Sequence, residues 1–298
     1  AVMVGGANPS IFTGTYAGSN VIQSVNMSTT GNTSDFGDMS INPLNPTVTS
    51  DRTRLLSAGG FDNPGNINTI NFVTMSSEGN GQDFGDLPFV RQNMAGANSS
   101  TRSVFANGSH AGSHNTIVYV TTQTLGDAID FGDSSRTRSS ARAVASPTRM
   151  VIGGGGDAQF NNIDYITFST TGNAADFGDL INAKKYAAGG SNAIRGLFAN
   201  GNASDPSLVI YQVIDYVTIA TLGNALDFGD MNYDESHGGA TASPTRYIHF
   251  GGSTTSPNFV NNISYVQIMT TGNGVDFGDL LNPVEGCHGS SNGHGGLG

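Results

Sequence analysis

The chain has 298 residues, of which 42 are glycine and only 12% are charged, and 23 acidic side chains against 12 basic ones leave a formal net charge of -11. This balance argues against an electrostatic nucleic-acid binder and against a polybasic membrane-surface protein, since little is present to neutralise phosphate. Hydrophobic residues make up 37%, with 16 Phe and 9 Tyr, enough to bury a core rather than leave a disordered low-complexity chain.

No run approaches the roughly 18 to 20 apolar residues of a membrane span, so no membrane insertion is expected. The start, Ala1-Val2-Met3-Val4-Gly5-Gly6, shows no signal-peptide pattern and no initiator Met, which suggests a processed product or a piece of a longer protein. Cys287 is the single cysteine, so an internal disulfide is excluded.

One tetrapeptide occurs six times along the chain, as Asp35-Phe36-Gly37-Asp38, Asp83-Phe84-Gly85-Asp86, Asp130-Phe131-Gly132-Asp133, Asp176-Phe177-Gly178-Asp179, Asp227-Phe228-Gly229-Asp230 and Asp276-Phe277-Gly278-Asp279. The repeat is about 48 residues long. Within each unit the order of signals is constant. A Gly/Ala/Ser stretch such as Tyr186 to Ser191 comes first, then a segment from an Arg to a Gly-Gly pair, as in Arg149 to Gly154. An alternating segment follows, Asn161 to Phe168 in one unit and Asn261 to Ile268 in another. A Thr-Gly-Asn turn then leads into the tetrapeptide. In the alternating segment Ile163, Tyr165 and Thr167 share one face, and Asp164, Ile166 and Phe168 the other, which is a strand period.

Four short strands per unit at this spacing predict an all-β, six-bladed β-propeller with four antiparallel strands per blade, one domain over residues 1–298. The C-terminal Gly-rich segment, residues 286–298, begins a further copy, because Ser291 to Leu297 aligns with Ser191 to Leu197. Since Ala1 to Gly6 starts in the middle of the same unit, the ring is expected to be closed by N- and C-terminal strands.

The order Gly-Gly, Ile-x-Tyr, Thr-Gly-Asn, aromatic strand and Arg resembles kelch repeats, with the tetrapeptide Phe where kelch repeats usually carry Trp. Units such as Asp215-Tyr216-Val217-Thr218-Ile219, Gly223-Asn224-Ala225 and Asp227 to Asp230 are similar to those of virion structural and tail-fibre-associated proteins of marine tailed phages and cyanophages. The resemblance covers essentially the whole chain. It implies a virion location and other virion proteins as partners.

The twelve tetrapeptide aspartates invite a calcium reading, because hard oxygens suit Ca²⁺; the alternative is that each Asp caps its own turn while Phe fills the space between blades. No cofactor is otherwise expected. Arg54, Arg102, Arg149, Arg195 and Arg246 recur ahead of the Gly-Gly or Asn-Gly pair. They either surround a channel that holds an anion or pair with tetrapeptide aspartates, and the ion pair is the expected role. Cys287 with His288 and His294 offers two or three metal ligands at most, or an activated thiol, against a simple closing role for the tail.

The loops after Gly-Gly vary most and would gather on one face, which makes them the candidate recognition surface. Phe12 and Tyr16, Phe61, His110 and His114, Phe160, and Phe259 are the candidate ligand-binding residues on them, aromatics being suited to sugar rings. The histidines do not recur and no nucleophile elbow adjoins them, so no catalytic residue is assigned. The expected function is a non-enzymatic tail-fibre or tail-tip module that binds a host-surface glycan or receptor. A protein-protein adaptor or capsid-decorating propeller is the alternative, and a polysaccharide depolymerase the third reading.

Overall fold

The computed structural model describes residues 2–4, 18–204, 207–254 and 258–297. Among these residues there is no α-helix, and the chain forms sheets of four antiparallel strands arranged as a β-propeller. Each four-stranded sheet is built from an inner, a second, a third and an outer strand. One such series is Arg142–Ala145, Arg149–Gly153, Asn162–Thr167 and Ala175–Asp179.

Five blades are each one unbroken run of chain, against the six expected with the ring closed by both termini. The sixth four-stranded sheet is composite: His288–Ser290 is its inner strand, Val2–Val4 its second, and Val21–Ser24 and Ser34–Asp38 complete it. His288 lies opposite Val4, and Ser290 opposite Val2. The tail beyond Ser290 therefore does not run on as a second strand, since Val2–Val4 already holds that place. It turns across the ends of the inner strands as a 3-10 turn, Gly295–Leu297.

The tetrapeptide is a β-bulge. In the third-to-outer pairing Ile163 faces Gly178 and Asp164 faces Asp176, so Phe177 is the extra residue, and the same shift recurs at Phe36, Phe84, Phe131, Phe228 and Phe277. A bulge bends the strand and re-aims one side chain. Here it sends Phe into the space between adjacent sheets, where Phe84 packs with Leu56 and Ile70 of its own sheet and Phe105 and Val118 of the next. Burying each ring contributes about 1.5–3 kcal/mol.

The bulge also explains the glycine. Gly85 has φ +146°, and a Cβ there would lie 2.6 Å from the carbonyl oxygen of Gly126 in the next sheet's Thr-Gly-Asn-type turn. That closeness lets the turn dock on the outer strand before it: Gly126 N–H donates to Phe84 O, Ala128 N–H to Asp86 O, and Asp86 N–H to Asp127 Oδ1. Asn80, Asn173, Asn224, Asn273 and Asn32 accept in the same way from Asp38, Asp133, Asp179, Asp230 and Asp279.

Candidate functional site at the channel mouth

Just ahead of the inner strands, Asn45, Asn93, Ser140, Tyr186, His237 and Gly286 all have left-handed backbone, with φ between 53° and 67°. Asn and Gly accept this conformation readily, whereas for a bulky residue such as Tyr it marks strain and draws attention to function. Their peptide groups form a closed circuit. Asn93 N–H donates to Asn45 O, Ser140 to Asn93, Tyr186 to Ser140, His237 to Tyr186, Gly286 to His237, and Asn45 back to Gly286, at 2.7–3.2 Å. The circuit frames one mouth of the central channel.

On this frame the rings of Tyr186 and His237 stack with centroids 3.7 Å apart and planes 26° from parallel. Ser236 Oγ lies 3.0 Å from His237 Nδ1. Burial, reinforced by the positive charges of Arg142 and Lys185, lowers the His237 pKa to about 4, so the imidazole is neutral at ordinary pH. A cavity of about 400 Å³ opens above it, lined by Leu44, Asn45, Phe61, Gln92, Asn93, Tyr186, His237 and Glu285. Burial raises the Glu285 carboxyl above its usual range, opposed by a hydrogen bond with Ser253. Aromatic faces, side-chain amides and one carboxyl thus converge on one concave surface.

Beneath the mouth lie buried titratable pairs that tie outer-strand ends and linkers to the neighbouring strands. Arg138 pairs with Asp164, and Lys184 Nζ stands 3.3 Å from Asp215 Oδ2. Glu235 Oε2 is 3.3 Å from His249 Nδ1, and Asn262 donates to its other oxygen at 2.6 Å. These groups brace the loops from below, with both members of each contact inside the protein.

Of the residues expected to bind ligand, Phe61 reaches the mouth cavity, and Phe12 and Tyr16 lie outside the described residues. His110 sits 3.3 Å from the Asn66 amide of the preceding unit's loop, and His114 bonds the His110 carbonyl oxygen within its own loop. Phe160 lies under the guanidinium of Arg136. Phe259 is half-buried where its segment bridges Ser253. The structure thus does not bring the five described residues of this set, Phe61, His110, His114, Phe160 and Phe259, to one site. Tyr186, His237, Asn45 and Asn93 were not singled out from sequence; the signal for them is that one position, just before the Gly/Ala strand, changes residue type from repeat to repeat.

The recurring arginines neither ring the channel nor meet the tetrapeptide aspartates. Arg54, Arg102, Arg149, Arg195 and Arg246 lie 4.6–4.8 Å over Phe72, Tyr119, Tyr165, Tyr216 and Tyr265. Each also donates to a backbone carbonyl of the next sheet, on Thr122, Phe168, Ile219, Ile268 and Met27. Each aromatic ring in turn meets the tetrapeptide Phe edge-on at 5.7–6.1 Å.

The aspartates take a different part from the turn caps expected of them. Their backbone N–H groups are the bonded atoms, and Asp227 with Gly229 is the one self-capping contact among the described residues. No group of three or more His, Cys, Asp or Glu residues is placed to hold a metal ion among the described residues. His288 lines the channel near Arg142, whereas His294 bonds Ser50 O at the other end of the inner strands, so Cys287, His288 and His294 do not converge.

A scan against protein-family models and a search of curated proteins each return no match to this sequence.

Proposed function

We propose that this chain is a six-bladed, kelch-like β-propeller that serves as a non-enzymatic recognition module of a tailed-phage particle, with the channel mouth as its glycan-binding site. The mouth cavity carries the reading, because it sets Phe61 and the stacked Tyr186–His237 pair beside Asn45, Gln92, Asn93 and Glu285. Sugar rings offer apolar faces to aromatics and hydroxyls to amides and carboxyls, and a concave site with few placed polar groups suits them. The composite sheet counts as the sixth blade, since its inner strand stands between Gly239–Ala242 and Thr47–Ser50 in the ring. The virion setting, and other virion proteins as neighbours, rest on the repeat's likeness to phage structural units.

Binding is favoured over hydrolysis because glycosidases ordinarily work with a pair of carboxyl groups, and among the described residues Glu285 is the single carboxyl lining this cavity. Retention of the folded chain on host-type cells and on surface polysaccharides tests the proposal, using Phe61→Ala and Tyr186→Asn, the latter keeping a residue tolerant of positive φ. Retention lost in both variants supports the mouth as the site; unchanged retention places recognition elsewhere. If the unaltered chain retains nothing, the adaptor reading takes over. Exposed aliphatic residues on the outer part of the blades favour that reading, Leu125 and Ile129 at 57% and Leu226 at 59% exposed.

A further inference from the structure

Two residues inside the mouth circuit, the inner strands begin with Thr47, Ala95, Arg142, Ala188, Gly239 and His288. Five of these are neutral and four are small, and Arg142 alone brings a permanent charge. Arg142 is 6% exposed, yet its one protein acceptor is the neighbouring Ala141 carbonyl, 3.1 Å from Nη1. Among the described residues the ion pairs are Arg138–Asp164 and Lys184–Asp215, and neither involves Arg142. The buried Arg138 and Lys184 each have an aspartate, whereas Arg142, like the equally buried Arg91, has none.

A buried side-chain nitrogen without a partner lies beside the same space. His288 Nε2 is buried without a hydrogen-bond partner. Its strand lies three places around the ring from that of Arg142, so the two residues enter one layer of the channel from opposite sides. Between them is a cavity of about 40 Å³, lined by Arg142, His288, Thr47, Met94 and the backbones of Gly96, Gly189, Gly239 and Gly289. The glycines leave room where side chains would fill the channel.

A buried cation without a counter-charge is costly, and such groups are ordinarily paired or bound to an ion. We infer that the channel, just inside the mouth, holds a small monovalent inorganic anion of the halide class, bound by the Arg142 guanidinium and by a ring N–H of His288. A cavity of this size admits a halide-sized ion and excludes a sugar or a carboxylate-bearing ligand. Arg142 supplies a charge-assisted donor and His288 a neutral one, since burial and the Arg142 charge hold the imidazole well below its ordinary pKa. This inference does not rest on glycan recognition at the mouth.

The test uses bromide as the probe on the whole chain. Crystals grown in sodium bromide should show an anomalous peak between Arg142 and His288. In solution at constant ionic strength, replacing sodium sulfate by sodium bromide should raise Tm by about 5 °C at a hundredfold excess over Kd. Arg142→Met should lose that shift, and Arg142→Lys should keep part of it. The proposal is overturned if no anomalous peak lies in the channel, or if a folded Arg142→Met variant shows the same bromide shift. If Arg142→Met does not fold, the anomalous map of the unaltered chain decides.

Discussion

The backbone N–H of Asp279 donates to the side-chain oxygen of Asn32 at 3.0 Å, across 247 residues of sequence. Asp133 and Asn173, only 40 residues apart, make the same bond at the same 3.0 Å. The junction that joins the two ends of the chain is thus built from the same parts as a junction within it. Replacing Asn173 by Ala removes one such bond and should cost about 1 kcal/mol, measured by urea unfolding. Asp127 occupies the Asn slot in one repeat, and Asp127→Asn should leave stability within about 0.5 kcal/mol, because the accepting oxygen is kept.

Gly85 and Gly126 separate backbone conformation from crowding. Both have strongly positive φ, +146° and +148°, but a Cβ on Gly126 meets nothing within 4 Å while one on Gly85 collides with the Gly126 carbonyl. Gly126→Ala should cost about 1–3 kcal/mol for conformation alone. Gly85→Ala should cost about 1–3 kcal/mol more, because the docked turn must move. Equal losses in the two variants would mean that the close approach carries no energy.

Arg149 lies over Tyr165 and donates to Ile219 O and Ala220 O, with no carboxylate partner. Arg149→Met should cost about 1–2 kcal/mol. Salt screens pairs of full charges most strongly, so this loss should be nearly the same at 0.05 M and at about 1 M NaCl. A loss that vanishes in high salt would instead indicate an ion pair.

Glu235 is pushed by burial to a pKa of about 7, above its ordinary 4.5. The folded state then holds a proton that the unfolded chain releases between those two values. The contribution of Glu235 to stability is therefore full below about pH 4.5 and falls as pH rises through 7. Glu235→Gln keeps an acceptor for the Asn262 amide and removes the titration. Relative to the unaltered protein the variant should gain stability across pH 4.5–7, by up to about 3 kcal/mol. Denaturant midpoints at pH 4.5, 6 and 8 check the sign.

Cys287 is buried, its thiol pKa is raised to about 12, and its Sγ lies 3.8 Å from Phe250 O. Since the thiolate is the reactive form, iodoacetamide at pH 8 should leave the folded protein unlabelled and modify it only in denaturant. Rapid labelling of the folded chain would contradict the buried placement.

The repeat made much of the architecture readable. The Asp-Phe-Gly-Asp segment, the alternating strand before it and the Gly/Ala stretch after it each occupy the predicted strand positions, and the overlap of the two ends foreshadows the pairing of Val2–Val4 with His288–Ser290. The partners of Arg149 were not readable in the same way. Its place over Tyr165 depends on the register Val151 opposite Tyr165, which the variable loop between those strands conceals. The mouth was hidden for a different reason. Tyr186 and His237 lie 51 residues apart and become neighbours only when successive units stand side by side in the ring. The buried pairs Arg138–Asp164 and Lys184–Asp215 do not recur in every unit, so periodicity gave no reason to single them out.

The tail from Ser290 to Leu297 touches the far ends of the inner strands all around the ring. Ser50 Oγ donates to Ser290 and to Ser291 O, Ser291 Oγ bonds Ala242 O, His294 meets Ser50 O, Arg52 donates to Leu297 O, and Gly295 and Gly296 press on the carbonyls of Ala145, Asn192 and Asn98. Side chains on Gly295 or Gly296 would strike those carbonyls, so the seal depends on bare backbone. Among the described residues the axis is consequently a well closed at the tail end and open at the mouth. A solute that enters past Tyr186 and His237 leaves by the same way, and residence in the well is governed by the mouth alone.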